Sequence, residues 1–356
     1  MRVFRIAVLL LFAVTSTLSF ALQPTLTPQQ SGTTNRLQAV SVVNPNVVWV
    51  SGVGGSFAVT TDGGNTWRAG VVPGAEALQF RDVEGVSAKV AYLMSAGSGA
   101  DSRIYKTVDG GQTWTLQFEN TIADAFYDCF AFWTPQRGLA YSDSVAGRFP
   151  MLRTTDGTTW QDIGDNLPPA QAGEAGFAAS GTCVATQGGR NAWVITGGAE
   201  HARVLATRDG GDTWNAYETP IVQGTPISGG FSIAFRDPWN GVLGGGDLAD
   251  PTAFTNNFAR SSDGGMTWKL GTPSPFPGAI YGLDYMNMRG LAEGSGNASG
   301  TEAVFITGPN GAAWSPDEGT TWHLLEGVTG YWAVDFGKGR VGWLVGTGGR
   351  ILKVSF

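Results

Sequence analysis

Six aspartates recur in one context, and a carboxylate beside glycine in a repeated loop suits two chemistries: cation coordination and backbone capture. The segment Thr60-Thr61-Asp62-Gly63-Gly64-Asn65-Thr66-Trp67 returns with Asp109 and Trp114, with Asp209 and Trp214, and with Asp263 and Trp268. Two copies are altered. The one holding Asp156 and Trp160 is a residue shorter, and the one holding Asp317 and Trp322 carries Glu318 in place of the first Gly. Calcium takes six or more oxygens, so one carboxylate per loop falls far short of a site. Backbone capture needs only what is present. A turn Asp accepts backbone N–H groups, Gly supplies positive φ, Thr resumes a strand, and Trp adds an apolar plate. The six aspartates and their tryptophans are therefore expected to staple turns.

Outside these copies the polar groups form two sets. Arg103, Asp143, Arg148, Glu174, Glu200, His201 and Asp247, together with Asp101 and Asp250, fall where loops are expected, and Arg81 is counted with them. Singly, each reads as a solvated loop charge; as a convergent set they are the candidate binding face. The second set, Asp82, Glu84, Asp128, Asp284 and Asp335, falls in apolar stretches, where an ionised group needs a partner or water. A hydrated channel with paired charges accounts for them, since ion-pair networks imitate catalytic sites. A glycosidase pair could be drawn from Asp82, Asp128, Glu174 and Asp247 if two of them stood about 5 to 9.5 Å apart. With His201 and His323 the only histidines, a multi-histidine metal centre is excluded. The chain carries no nucleophile elbow, phosphate-binding loop or dinucleotide fingerprint. Neither metal nor cofactor is expected, and no catalytic residue is assigned.

The elements that must position these groups follow from the repeat. Successive aspartates are 47, 47, 53, 54 and 54 residues apart, an interval that fits one four-stranded propeller blade. A strand pair precedes each copy, with second members such as Val48-Trp49-Val50, Ala91-Tyr92-Leu93 and Ala192-Trp193-Val194. A seventh pair, around Val341-Gly342-Trp343-Leu344-Val345-Gly346 and Arg350-Ile351-Leu352, ends without an outer strand. Residues 26–36 are placed to supply it, because pairing the first and last blades removes two free edges. The expectation is all-β: one seven-bladed propeller over residues 22–356, closed by its N-terminal strand. The repeated turns then lie on one face. The second-to-third strand loops (95–103, 142–148, 196–202 and 244–257) and connections such as 161–176 lie on the other, where a site is expected.

Composition agrees. Gly 53, Trp 13 and only 14% charged residues suit short strands and tight turns. Arg2 and Arg5, the apolar run 6–14 and Ser19-Phe20-Ala21 read as a signal peptide over residues 1–21, implying a periplasmic or secreted protein with no membrane span in the mature chain. The net charge is −7 and becomes −9 once Arg2 and Arg5 leave, which argues against a nucleic-acid partner. The partner expected is a protein or peptide segment, or a carbohydrate, and the ring a monomer. Cys129 and Cys183 leave two readings open. An oxidising compartment favours a bridge, whereas equivalent positions in neighbouring blades point their Cβ atoms the same way round, which favours two buried thiols.

The repeated segment resembles the Asp-box, or bacterial neuraminidase repeat. The pattern Gly342-Trp343-Leu344-Val345-Gly346 is most similar to the photosystem II assembly and stability factor propellers and their non-photosynthetic bacterial relatives. That resemblance implies an exported, non-catalytic scaffold that binds another protein or assists its assembly. Such relatives engage membrane-protein precursors through an arginine-rich patch, for which Arg81, Arg103, Arg148 and Arg190 are the counterparts to test. Sialidases and xyloglucan-cleaving propellers share the box and imply instead a glycoside hydrolase acting on extracellular carbohydrate. The sialidase Phe/Tyr-Arg-Ile-Pro motif is missing, and Gly147-Arg148-Phe149-Pro150 is an echo in the wrong blade. Some relatives are labelled oxidoreductases, a third reading for which no cofactor motif is visible.

Overall fold

The computed structural model describes residues 23–287, 302–337 and 339–356, so the leader reading lies outside the described residues. Its seven four-stranded antiparallel sheets are the blades of a ring. Blade one comprises Leu37–Asn44, Val47–Gly52, Ser56–Thr60 and Arg68–Val71 from axis to rim. The inner strands of the next five are Phe80–Gly85, Tyr127–Thr134, Val184–Gln187, Ser228–Phe235 and Gly282–Asn287. Blade seven consists of Tyr331–Asp335, Val341–Gly346 and Arg350–Ser355, and its outer strand is Thr25–Gln30 from the other end of the chain. Closure by the N-terminal strand is therefore as the sequence implied.

Each repeated segment forms the turn between third and outer strands. In blade one Asp62 accepts the Thr66 N–H (2.9 Å) and hydroxyl (2.6 Å), while the Thr60 hydroxyl accepts the Gly64 N–H (2.9 Å). These bonds stabilise the anion. With the Thr66 and Thr113 hydroxyls leading, Asp62 and Asp109 are lowered to about 2, as is Asp156 through the Thr159 N–H. The altered copies keep the mechanism: Asp317 still accepts from Thr321, and Glu318 takes the left-handed φ of 54° that Gly adopts elsewhere.

Three of the seams, between blades two and three, four and five, and six and seven, pack through an aromatic pair in the same place. Phe132, Phe235 and Phe336, at one register of the inner strands, lie on Tyr92, Trp193 and Phe305 of the preceding blade with centroids 4.5, 3.6 and 4.5 Å apart. Opposite each Phe stands a glycine, Gly138, Gly241 or Gly342, where a Cβ would come within 2.5 to 2.7 Å of the ring. The glycine facing each Phe from the second strand is thus a space requirement, not a flexible point.

Candidate functional site

The inner strands carry a second layer of seam contacts, and these claim most of the axial carboxylates. Phe130 donates its N–H to Asp82 (2.7 Å), Phe336 to Asp284 (2.7 Å) and Val42 to Asp335 (2.5 Å), each across to the neighbouring blade. Ser41 accepts from Gly85 (2.9 Å) and Ser232 from Leu283 (3.0 Å), while Thr182 and Ser232 share a hydroxyl bond (2.6 Å) between blades four and five. The seam between blades three and four is covalent: Cys129 and Cys183 form a disulfide with Cα atoms 5.8 Å apart. The argument for parallel Cβ vectors fails because neither cysteine sits in regular strand geometry. Cys129 directly follows a bulge, and Cys183 precedes the strand that starts at Val184.

Within the ring, Glu84, Asp284 and Asp335 line a lumen of about 210 Å³ with Ala131, Ala185 and Ala234. It is contiguous, through Ser41, Glu84 and Asp335, with a cavity opening between first-to-second strand turns at Val86 and Pro135, the face that also bears the repeated turns. Burial raises Asp82 and Asp284 well above the usual carboxylate range and takes Glu84 to about 8, with the Asp335 charge adding to the latter. Glu84 accepts no hydrogen bond from the described residues, so folding holds a proton that the unfolded chain releases above pH 4.5. Its stability contribution is complete below that pH and is lost as pH rises through 8. Thermal unfolding between pH 5 and 8.5 should show wild type losing roughly 2 to 4 kcal/mol more than Glu84→Gln. Parallel pH profiles for the two proteins would remove Glu84 as the cause.

The opposite end of the ring is built by bulges. The inner strands of blades one, two, three, five and seven each shift register once near their start, at Gln38, Arg81, Asp128, Phe231 and Trp332. A bulge re-aims the extra side chain, and here five blades re-aim one at the same level. Tyr281 stands at that level in blade six. The aromatics form a chain: Phe177 against Phe231 (4.2 Å), Phe231 against Tyr281 (5.7 Å), Tyr281 against Trp332 (5.0 Å), with the Arg36 guanidinium 4.5 Å over Trp332. Arg81 lies 6.0 Å from Phe126 on the other side. Arg36 Nε and both amide atoms of the fully buried Gln38 find no hydrogen-bond partner among the described residues. The mouth thus combines aromatic faces, two guanidiniums and unspent polar groups, a constellation suited to a polypeptide segment.

The sequence candidates distribute unevenly around this mouth. Arg81 belongs to it. Arg103 is spent on Glu119 (3.0 Å), and Arg148 on Asp162 (2.9 Å) and Asp165 (2.6 Å), each within its own blade. Glu200 and His201 form an exposed pair 3.8 Å apart, and Asp247 accepts the Ala249 N–H (2.9 Å). Arg190 lies in a first-to-second strand turn, on the face away from the mouth. Asp128, Asp143 and Glu174 do come together, around the buried Tyr141 hydroxyl. Burial raises Asp143 to about 6 and Asp128 further, the Asp143 charge adding to the latter, while the hydrogen bond between the two carboxyls holds Asp143 down; buried Glu174 is ion-paired with Arg203. Sequence reasoning missed Arg36, Gln38, Phe177, Phe231, Tyr281 and Trp332. The signal for Phe231 and Trp332 is a column four residues ahead of Phe235 and Phe336, which in blade three holds Asp128; Arg36 and Phe177 lie in connections and have no such signal.

These features define a seven-bladed propeller with a polar lumen and an aromatic mouth. Among solved structures the fold is shared with YCF48 bound to a D1 peptide, at a TM-score of 0.62 and 15% identity over 94% of this chain and 97% of that one. YCF48 from Cyanidioschyzon merolae matches at 0.58 and 17% identity over 93% and 98%. A catalytically inactive histidine-to-alanine virginiamycin B lyase from Staphylococcus aureus, with quinupristin, matches at 0.55 and 12% identity over 94% and 100%. No protein-family model matches the chain, and no curated protein matches it. No helix among the described residues is long and apolar enough to cross a membrane.

Proposed function

We propose that this protein is an exported, non-catalytic propeller that binds a segment of another protein at the aromatic mouth and assists its assembly. The observation that carries the reading is the mouth itself: four aromatic rings in contact, flanked by Arg36 and Arg81, with hydrogen-bonding atoms left unsatisfied inside it. The similarity to a propeller described as bound to a peptide supports it. Aromatic and arginine side chains are those that dominate protein-binding hot spots. The hydrolase reading has less to draw on, since Asp82 and Asp284 are engaged with backbone N–H groups and Glu174 with Arg203.

Residues 23–356, immobilised and exposed to detergent-solubilised envelope from the native host, should retain a reproducible partner. Trp332→Ala should weaken that retention at least tenfold without lowering the melting temperature appreciably, because the indole is only half-buried. Retention unaffected by the substitution would move the site elsewhere. Release of reducing sugar from xyloglucan or sialosides would favour the hydrolase.

A further inference from the structure

The mouth is already occupied, by the protein's own chain. Residues 176–182, in the connection between blades three and four, cross the axis and touch blades two, three, five and six. Gly176 donates its N–H to Asp143 (2.7 Å), and Arg81 donates to the Ala178 carbonyl (3.3 Å). The Phe177 ring joins the aromatic chain through Phe231. Beyond it, the Ser180 hydroxyl bonds the Tyr281 carbonyl (2.6 Å), and Gly181, at φ 77°, lies so close to Asp82 that a Cβ would sit 2.4 Å from its carboxylate. Two positions admit no side chain: besides Gly181, at Gly176 a Cβ would press within 2.7 Å of Asp128 and 2.8 Å of Tyr141.

This segment has no strand or helix of its own, and it meets its surroundings through its backbone, by the Gly176 N–H and the Ala178 and Thr182 carbonyls, and through the small hydroxyls of Ser180 and Thr182, contacts that an extended peptide of small residues with hydroxyls in those places could reproduce. It also leaves Arg36 Nε and the Gln38 amide without a hydrogen-bond partner among the described residues, so the site has more capacity than its internal occupant uses. We propose that residues 176–182 are an intramolecular stand-in for the ligand. The exogenous ligand is an extended peptide presenting one aromatic side chain followed by small residues, and it enters by displacing this segment. The proposal specifies the ligand chemistry of the site under Proposed function and rests on that reading for its biological meaning. It is tested independently of it.

The probe is a blocked synthetic peptide with the sequence of residues 173–182, Gly-Glu-Ala-Gly-Phe-Ala-Ala-Ser-Gly-Thr. Titrated against the full-length mature protein carrying Phe177→Ala, it should bind at least tenfold more tightly than to wild type, and Trp332→Ala in the same background should abolish the gain. Equal binding to both proteins, or binding to neither, overturns the proposal. Amide exchange on the unmodified protein gives a second measurement that needs no variant. Amides of 177–182 should exchange at least a hundredfold faster than Phe130 and Leu283 in the inner strands; exchange only with global unfolding means the segment is not displaceable and overturns the proposal. Peptide capture by Phe177→Ala alongside no retained partner from envelope would sink the assembly reading and leave this one standing.

Discussion

A chain lacking Thr25–Gln30 should lose its cooperative thermal transition and elute as aggregate. This strand pairs along its whole length with Arg350–Ser355, from Thr25 opposite Ser355 to Gln30 opposite Arg350. Gln29 adds a contact that no other described residue duplicates. Its carbonyl oxygen accepts the indole N–H of Trp343 in blade seven and of Trp67 in blade one, both at 3.0 Å, so one side chain holds both sides of the closing seam. Removing it orphans two indole donors, at roughly 1 to 3 kcal/mol each where they are shielded from water. Losing the ladder and the packing of Leu26 takes the total to about 5 kcal/mol or more, comparable with the whole stability of an ordinary domain. The bared edge of Arg350–Ser355 then becomes a template for pairing with another chain. Calorimetry and size-exclusion chromatography decide it, and a synthetic peptide of residues 23–32 added in trans should restore part of the transition. An unchanged melting temperature in the truncated protein would mean that the ring holds without its clasp.

The ring was legible because its signals are local. The repeated turn closes within eight residues, so Asp62, Thr66 and Trp67 announce it wherever they stand together. Blade seven's missing outer strand could likewise be inferred from counting. The axial carboxylates were legible as positions but not as roles, because the partner of Asp82 is the N–H of Phe130, 48 residues away in another blade. The mouth was hidden by the bulges. An extra residue at Arg81, Phe231 and Trp332 shifts the alternation by one, so a pattern read with period two assigns those side chains to the wrong face. The crossing of residues 176–182 had no local signature at all. Its glycines and alanines read as ordinary connection, and only the contacts of Ser180 with blade six and Arg81 with Ala178 show that the chain spans the axis.

Replacing both cysteines, Cys129→Ser with Cys183→Ser, should destabilise the protein by about 4 kcal/mol, the chain-entropy value for a cross-link spanning 54 residues. The bridge is the one covalent seam in a ring whose other seams rely on aromatic packing and hydrogen bonds, and both cysteines are fully buried. A reductant should therefore act only once the seam opens, so urea unfolding of wild type with dithiothreitol should fall to the level of the double variant, which dithiothreitol should leave unchanged. The same comparison bears on where the chain folds. A protein whose third and fourth blades need this bond gains it in an oxidising compartment and would be the weaker for folding in a reducing one. Coincident unfolding curves with and without reductant would deny the bridge a stabilising role and leave the downstream end of the crossing segment to its hydrogen bonds: Ser180 to the Tyr281 carbonyl, Thr182 to Ser232, and the Ile233 N–H to the Thr182 carbonyl.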